Sequence, residues 1–166
     1  MLLAVSLLLY NLFPLFIASA IISARTARGG PPMKVEEIMT KKIEFIEAEA
    51  SLYDAVEKMI DKRLRCLVVR PKSDKDVFGV ITVRDIVFKA IAKNLDLSRV
   101  RVEEIAEKPL ICVNREMELP HVISMMQNFN IARVFVCEGS DMVGIVALMD
   151  VMGGSLIVRA KGGSGV

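Results

Sequence analysis

The chain repeats itself, and the repeat constrains the fold more than any single motif. Val35-Glu36-Glu37-Ile38 recurs as Val102-Glu103-Glu104-Ile105, an offset of 67, and IEFIEAEASL (Ile43–Leu52) lies at the same offset over LICVNREMEL (Leu110–Leu119). RCLVV (Arg65–Val69) lies over RVFVC (Arg133–Cys137) at 68, a middle register open by one residue, and GVITVRD (Gly79–Asp85) over GIVALMD (Gly144–Asp150) at 65. The last change fits a shorter loop in the second copy, where Glu138–Asp141 replaces the polar run Arg70–Asp76. A copy of about 60 residues buries too little surface to be secure alone, so the two halves are expected to stabilise each other.

Each copy reads in the same order. A short helical turn at VEEI leads to an apolar strand (Ile43–Ile46; Leu110–Val113). An amphipathic helix comes next, with Leu52, Ala55, Val56, Met59 and Ile60 on its apolar side, and Leu119, Val122, Ile123 and Met126 in the second copy. Pro120 suits a first helical turn. Two more apolar strands succeed it, Cys66–Val69 with Val77–Ile81 and Val134–Cys137 with Met142–Val146, joined by polar turns. A last helix begins near Thr82 or Ala147. The fold class is therefore α/β in content, more strictly α+β: a β-α-β-β-α unit used twice. The expected divisions are 1–32, an apolar segment; 33–97 and 98–154, the repeats; and 155–166, a Gly-rich flexible tail.

Residues 1–32 hold much of the apolar excess behind a mean hydropathy of +0.45. They contain no Asp or Glu, only Arg25 and Arg28 as charges, and a nearly unbroken apolar run from Leu2 to Ile22. As a helix, Leu2 to Ala24 would reach roughly 34 Å, enough to cross a hydrocarbon core of about 30 Å. Three readings stand. The segment is a transmembrane anchor, with Arg25 and Arg28 keeping the repeats in the cytoplasm. Or it is a signal peptide, for which Ala18-Ser19-Ala20 resembles a cleavage site although no Lys or Arg precedes the run. Or Met33 is the true start, and Arg28-Gly29-Gly30 translates a purine-rich ribosome-binding stretch. A membrane contact is expected only if residues 1–24 are native.

Charge and composition exclude several functions. Of the 22 Lys and Arg, two precede Met33 and two come after Gly154, while all 20 acids lie between, which leaves the repeats at −2. Such a balance, with 5% aromatic residues, offers neither phosphate clamps nor stacking platforms for polymeric nucleic acid. Cys66, Cys112 and Cys137 form no C-x-x-C and lie in or beside apolar runs. They read as small core residues rather than a disulfide framework or a metal site. Met59, Met125, Met126 and Met149 likewise fall at core or near-core spacings. His121 is the only histidine and reads as surface, and no nucleophile–base pair accompanies it, so an enzyme is not expected.

GVITVRD and GIVALMD, the lead-in Ile38-Met39-Thr40 and KPLICV (Lys108–Val113), occurring as an ordered set over Met33 to about Gly154, resemble the cystathionine-β-synthase (CBS) domain, here twice in a Bateman module. The resemblance implies two repeats packed about a pseudo-twofold axis and no catalysis. It also implies a homodimer, an unidentified regulated partner, and regulatory binding of AMP, ADP, ATP or S-adenosylmethionine rather than a cofactor.

The residues themselves agree with that implication. Thr82 closes a strand where a helix N-cap should sit, with Asp85 three residues on; the pattern is a capping box, and it can also aim a hydroxyl and N–H groups at phosphate and a carboxylate at ribose. In the family, the acidic motif of one repeat completes a cleft walled by strands of the other. Carried over, one site combines Gly79, Thr82 and Asp85 with Ile111, Cys112, Ala132 and Arg133. A second combines Gly144, Ala147 and Asp150 with Glu44, Phe45, Leu64 and Arg65. Ala147 lacks the cap hydroxyl, and Glu44 places a carboxylate where the first site has Ile111. One competent site around Asp85 is expected, with the second weak, empty or suited to a less anionic ligand.

Overall fold

Two three-stranded sheets organise the chain, as the doubled sequence requires. The computed structural model describes residues 32–154. The expectations for residues 1–31 and for the C-terminal tail lie outside them. No helix among the described residues is long and apolar enough to cross a membrane.

The first sheet has β1 (Phe45–Ile46) parallel to β2 (Cys66–Val69), which pairs antiparallel with β3 (Gly79–Thr82). Helix α1 (Leu52–Lys62) connects β1 to β2, and α2 (Val83–Lys89) succeeds β3 without a linker. The second sheet repeats this with β4 (Cys112–Val113), β5 (Arg133–Glu138) and β6 (Asp141–Ala147); α3 (Leu119–Asn128) joins its parallel pair, and a helix α4 over residues 148–154 comes directly after β6.

The short lead-ins do not pack with the strands that come next in sequence. The 3-10 turn Val102–Glu104 lies against the first sheet's unit: Val102 and Glu103 donate N–H bonds to Ala50 O (2.9 Å) and Ala48 O (3.0 Å), and Val102 is fully buried. The turn Val35–Glu37 lies with the second sheet's unit, where Val35 and Glu36 donate to Met117 O (3.0 Å) and Arg115 O (3.1 Å). Among the described residues the two compact units are therefore Lys42–Ile111, and residues 32–41 together with 112–154.

This exchange accounts for two buried glycines. The segment at Glu107 crosses β3, with reciprocal 2.9 Å bonds to Val80, and a Cβ on Gly79 would stand 2.9 Å from Glu107 O and 2.7 Å from Lys108 Cγ. Thr40 crosses β6 in the same way at Ile145, and a Cβ on Gly144 would meet Met39 Sδ at 2.5 Å. At Gly79, where the obstacle includes the Glu107 backbone, only a residue without a side chain admits that approach.

The apolar stripe of α1 buries Leu52, Ala55 and Met59 against Leu67, Val69, Ile81 and Ile86. In the other unit Leu119, Val122, Ile123 and Met126 are buried, as are Val134, Val136 and Val146. Some expectations are corrected. Ile60 is 69% exposed, because at 100° per residue it turns about 80° away from Leu52. Met149 is 60% exposed, since Val151 and Gly154 form the buried side of α4. Val77 is exposed and precedes β3.

The repeat register is also resolved. Cys66 pairs with Thr82 as Arg133 pairs with Ala147, and Phe45 with Val68 as Cys112 with Phe135. The middle offset is thus 67: Arg65 is the counterpart of Ala132, Cys66 of Arg133, and Arg70 of Cys137.

Candidate functional site

Each unit places its acidic motif where a strand passes directly into a helix. At the first junction Thr82 is the N-cap of α2; its Oγ1 accepts the Asp85 N–H (3.1 Å), and Asp85 Oδ2 accepts the Thr82 N–H (3.0 Å) and hydroxyl (2.5 Å). The sequence reading of a capping box is realised. Asp85 Oδ1 is left facing Lys89 Nζ at 3.2 Å, and Lys89 also bonds the Glu107 carboxylate and Ile105 O (3.1 Å). Burial works against the Lys89 charge, but hydrogen bonds to Glu107 and Asp85 outweigh it, so this ammonium titrates above its ordinary value. The i, i+4 spacing of Asp85 and Lys89 could have revealed the pair from sequence.

The second junction keeps one of these contacts. The Ala147 N–H donates to Asp150 Oδ2 at 2.7 Å, but Ala147 has no hydroxyl, and Gly154 stands where the first junction has Lys89. The neighbouring strands are otherwise alike: the Val83 N–H donates to Arg65 O and the Leu148 N–H to Ala132 O, both at 3.1 Å.

Glu44 does not stand as an isolated carboxylate. Lys62 lies 2.6 Å from Oε1 and Lys58 3.4 Å from Oε2, and the Lys62 hydrogen bond foremost holds the Glu44 carboxyl below its usual pKa. The repulsion expected of Glu44 is therefore offset locally. These lysines are four apart on α1, but their approach to Glu44 depends on tertiary packing that spacing alone does not disclose. Phe45 is partly covered: the Arg70 guanidinium lies 4.5 Å above its ring, and Phe78 meets it edge-on at 6.3 Å between centroids.

The cysteines depart from their expected role. None is buried, and Cys112 and Cys137 form a disulfide between β4 and β5, with Cα atoms 5.7 Å apart. Cys66 lies outside it, at the edge of the core. Spacing carries little warning, because the two bonded residues are 25 apart and become neighbours only when the parallel pair forms.

Of the expected site residues, the first unit contains Gly79, Thr82, Asp85 and Ile111 as well as Glu44, Phe45, Leu64 and Arg65. The second contains Cys112, Ala132 and Arg133 as well as Gly144, Ala147 and Asp150. Each expected set draws members from both units. Among the described residues no group of three or more His, Cys, Asp or Glu could hold a metal ion.

Comparison with known proteins adds an independent observation. The family described as CBS domain matches residues 35–91 and 102–156. A hexameric CBS-CP12 protein from bloom-forming cyanobacteria has 35% identity and a TM-score of 0.71, covering 76% of this chain and 73% of that one. The CBS domain pair of protein MJ0100, solved in complex with 5′-methylthioadenosine and S-adenosyl-L-methionine, has 29% identity and a TM-score of 0.62, covering 81% of this chain and all of that one. The Bacillus subtilis protein YlbB is 26% identical over 117 residues, 70% of this chain and 78% of its own length. Of some other curated relatives this chain spans about half the length, 45% and 48%.

Proposed function

Because this chain belongs to the CBS-domain family, with two copies in tandem, we propose that it is a regulatory sensor of an adenosine-containing ligand, AMP, ADP, ATP or S-adenosylmethionine, and that occupancy is read by a partner protein. CBS pairs are in general non-catalytic regulatory modules that bind such ligands. The observation that carries the reading is the likeness, over 81% of this chain, to a CBS pair solved with two adenosine derivatives.

In this reading the competent site uses Thr82 and Asp85, beside Gly79, with Ile111, Cys112, Ala132 and Arg133. Asp85 Oδ1 accepts from the ribose hydroxyls, the apolar residues flank adenine, and Arg133 meets phosphate. Lys89, already at Oδ1, adds a cation beside that carboxylate. The second set, Gly144, Ala147 and Asp150 with Glu44, Phe45, Leu64 and Arg65, is weaker because the cap hydroxyl and the Lys89 equivalent are missing. A ligand biases a partner only through unequal affinity for two arrangements of the protein.

A thermal-shift panel of AMP, ADP, ATP, S-adenosylmethionine and NADH tests the reading, since ligand at about 100 times its Kd adds roughly 2.7 kcal/mol of stability. Asp85→Ala should abolish the shift and Asp150→Ala leave it. The reverse pattern would overturn the assignment, and no shift with any ligand would favour a purely structural subunit.

We also infer a homodimer. Val83, Val87, Phe88 and Ile91 form an exposed apolar stripe on α2 and the turn after it, and Leu148, Met149 and Met152 an equivalent stripe on α4. A second copy of this chain carries the same two stripes and can cover both, as an isologous interface requires. Phe88→Glu should lower the mass measured by light scattering to that of one chain; an unchanged mass argues against it.

A further inference from the structure

The Cys112–Cys137 disulfide occupies a place that the fold itself does not require to be bonded. By the strand register, its counterparts in the first unit are Phe45 and Arg70, which hold β1 to β2 by stacking the guanidinium over the ring. The same pair of strands is therefore stable with a non-covalent contact at this point. β1 and β4 are both two residues long with two ladder partners each, so the bond in the second unit stands where the first has its cation–ring contact, and breaking it leaves β4 with Cys112↔Phe135 and Val113↔Val136 alone. No cation–ring contact can replace it there.

Accessibility points the same way. Cys112 is an exposed residue and Cys137 a half-buried one, so the bond lies outside the core. Disulfides at exposed positions are the ones more open to exchange, and Cys112 is at such a position.

We propose that Cys112–Cys137 is a thiol–disulfide exchange site, with a dithiol as its reductant, whose state sets the order of β4 and through it ligand affinity. The attacking thiolate bonds to Cys112 Sγ as the S–S bond breaks, and Cys137 leaves as a thiolate that takes a proton. The reductant's second thiol then displaces Cys112, closing its own disulfide. Two electrons and two protons pass to the protein, which ends with two thiols. The coupling to ligand rests on the functional reading above, because Cys112 and its neighbour Ile111 belong to the set proposed around Asp85.

The test compares full-length protein, purified without reductant, before and after dithiothreitol, with alkylation and intact mass counting its thiols. The expected count rises from one to three without loss of the folded state. Amide hydrogen exchange should quicken at β4 while β1 is unchanged. AMP affinity, by calorimetry, should fall about tenfold, a difference of about 1.4 kcal/mol. Cys112→Ser/Cys137→Ser should match the reduced protein and ignore dithiothreitol, whereas Cys66→Ser should retain the response. Three thiols in the untreated protein, or β4 exchange and AMP affinity equal in both states, would overturn the proposal. AMP bound in neither state, with β4 loosening on reduction, would remove the nucleotide reading and leave the exchange site standing.

Discussion

The two units share one element order and one strand register, yet they secure equivalent points by different chemistry. At the strand-to-helix junction the first has Thr82, Asp85 and Lys89 in one connected group; the second has Ala147 and Asp150. Between the parallel strands the first stacks Arg70 on Phe45 and the second bonds Cys112 to Cys137. What is common to both is the buried apolar pattern and a glycine where the lead-in crosses the third strand, Gly79 or Gly144. Those positions specify the fold. The divergent positions lie at its margins, where either solution holds the strands and the choice is open to function.

The crossing point gives the largest expected difference between the units. At Gly79 an added Cβ meets the backbone oxygen of Glu107, which is fixed by its bonds to Val80, so Gly79→Ala should cost about 2–3 kcal/mol, in the range of overpacking. At Gly144 the obstacle is the Met39 side chain, which can choose another rotamer, so Gly144→Ala should cost about 1 kcal/mol or less. Chemical denaturation of both variants measures this. Equal losses would mean that the two crossings are equally rigid.

A smaller effect comes from exchanging the caps. Thr82→Ala removes a hydroxyl that both accepts and donates within the capping box and should cost about 1 kcal/mol. Ala147→Thr should recover part of that in the second unit by accepting the Asp150 N–H. If the missing hydroxyl is what weakens the second site, Ala147→Thr should also raise the calorimetric stoichiometry from one nucleotide per chain to two. A gain in stability with stoichiometry still at one would assign the deficit to the absent Lys89 equivalent instead.

How much of this is legible in sequence depends on distance along the chain. The repeat, the strand–helix–strand order and the Thr82–Asp85 box are local patterns, and they survive in the structure almost unchanged. The exchange of lead-ins, the Lys58–Glu44–Lys62 cluster and the Cys112–Cys137 bond join residues far apart, and spacing carries no trace of them. Matching like residues sets Arg65 opposite Arg133, whereas the hydrogen-bonded ladder aligns Arg65 with Ala132. A one-residue slip reverses which face each side chain takes, so only the ladder could settle it.

Acid separates the units more subtly. In the first, Asp76 is drawn down from 3.8 to about 2, chiefly by its hydrogen bond to Lys108 (2.6 Å), helped by the N–H groups of Lys72 and Val77 (both 2.9 Å). A carboxyl more acidic when folded than when unfolded contributes stability that is complete above its ordinary value and is lost as pH falls through the folded one. For Asp76 that window runs from 3.8 down to about 2. The second unit's Glu116 is also lowered, by its bond to Lys34, but from the higher starting point of 4.5, so its contribution begins to fade at a less acid pH. Glu44 in the first unit starts from the same 4.5, so hydrogen exchange resolved by strand should show both sheets beginning to lose protection below that value, with β2 and β3 continuing to lose it through the Asp76 window down to about 2. Asp76→Asn should weaken the dependence below 3.8 in the first unit, leaving the part that Asp54 and Asp96, also lowered from 3.8 by bonds to Ser51 and Ser98, contribute; if β2 and β3 respond there as before, those two govern that window.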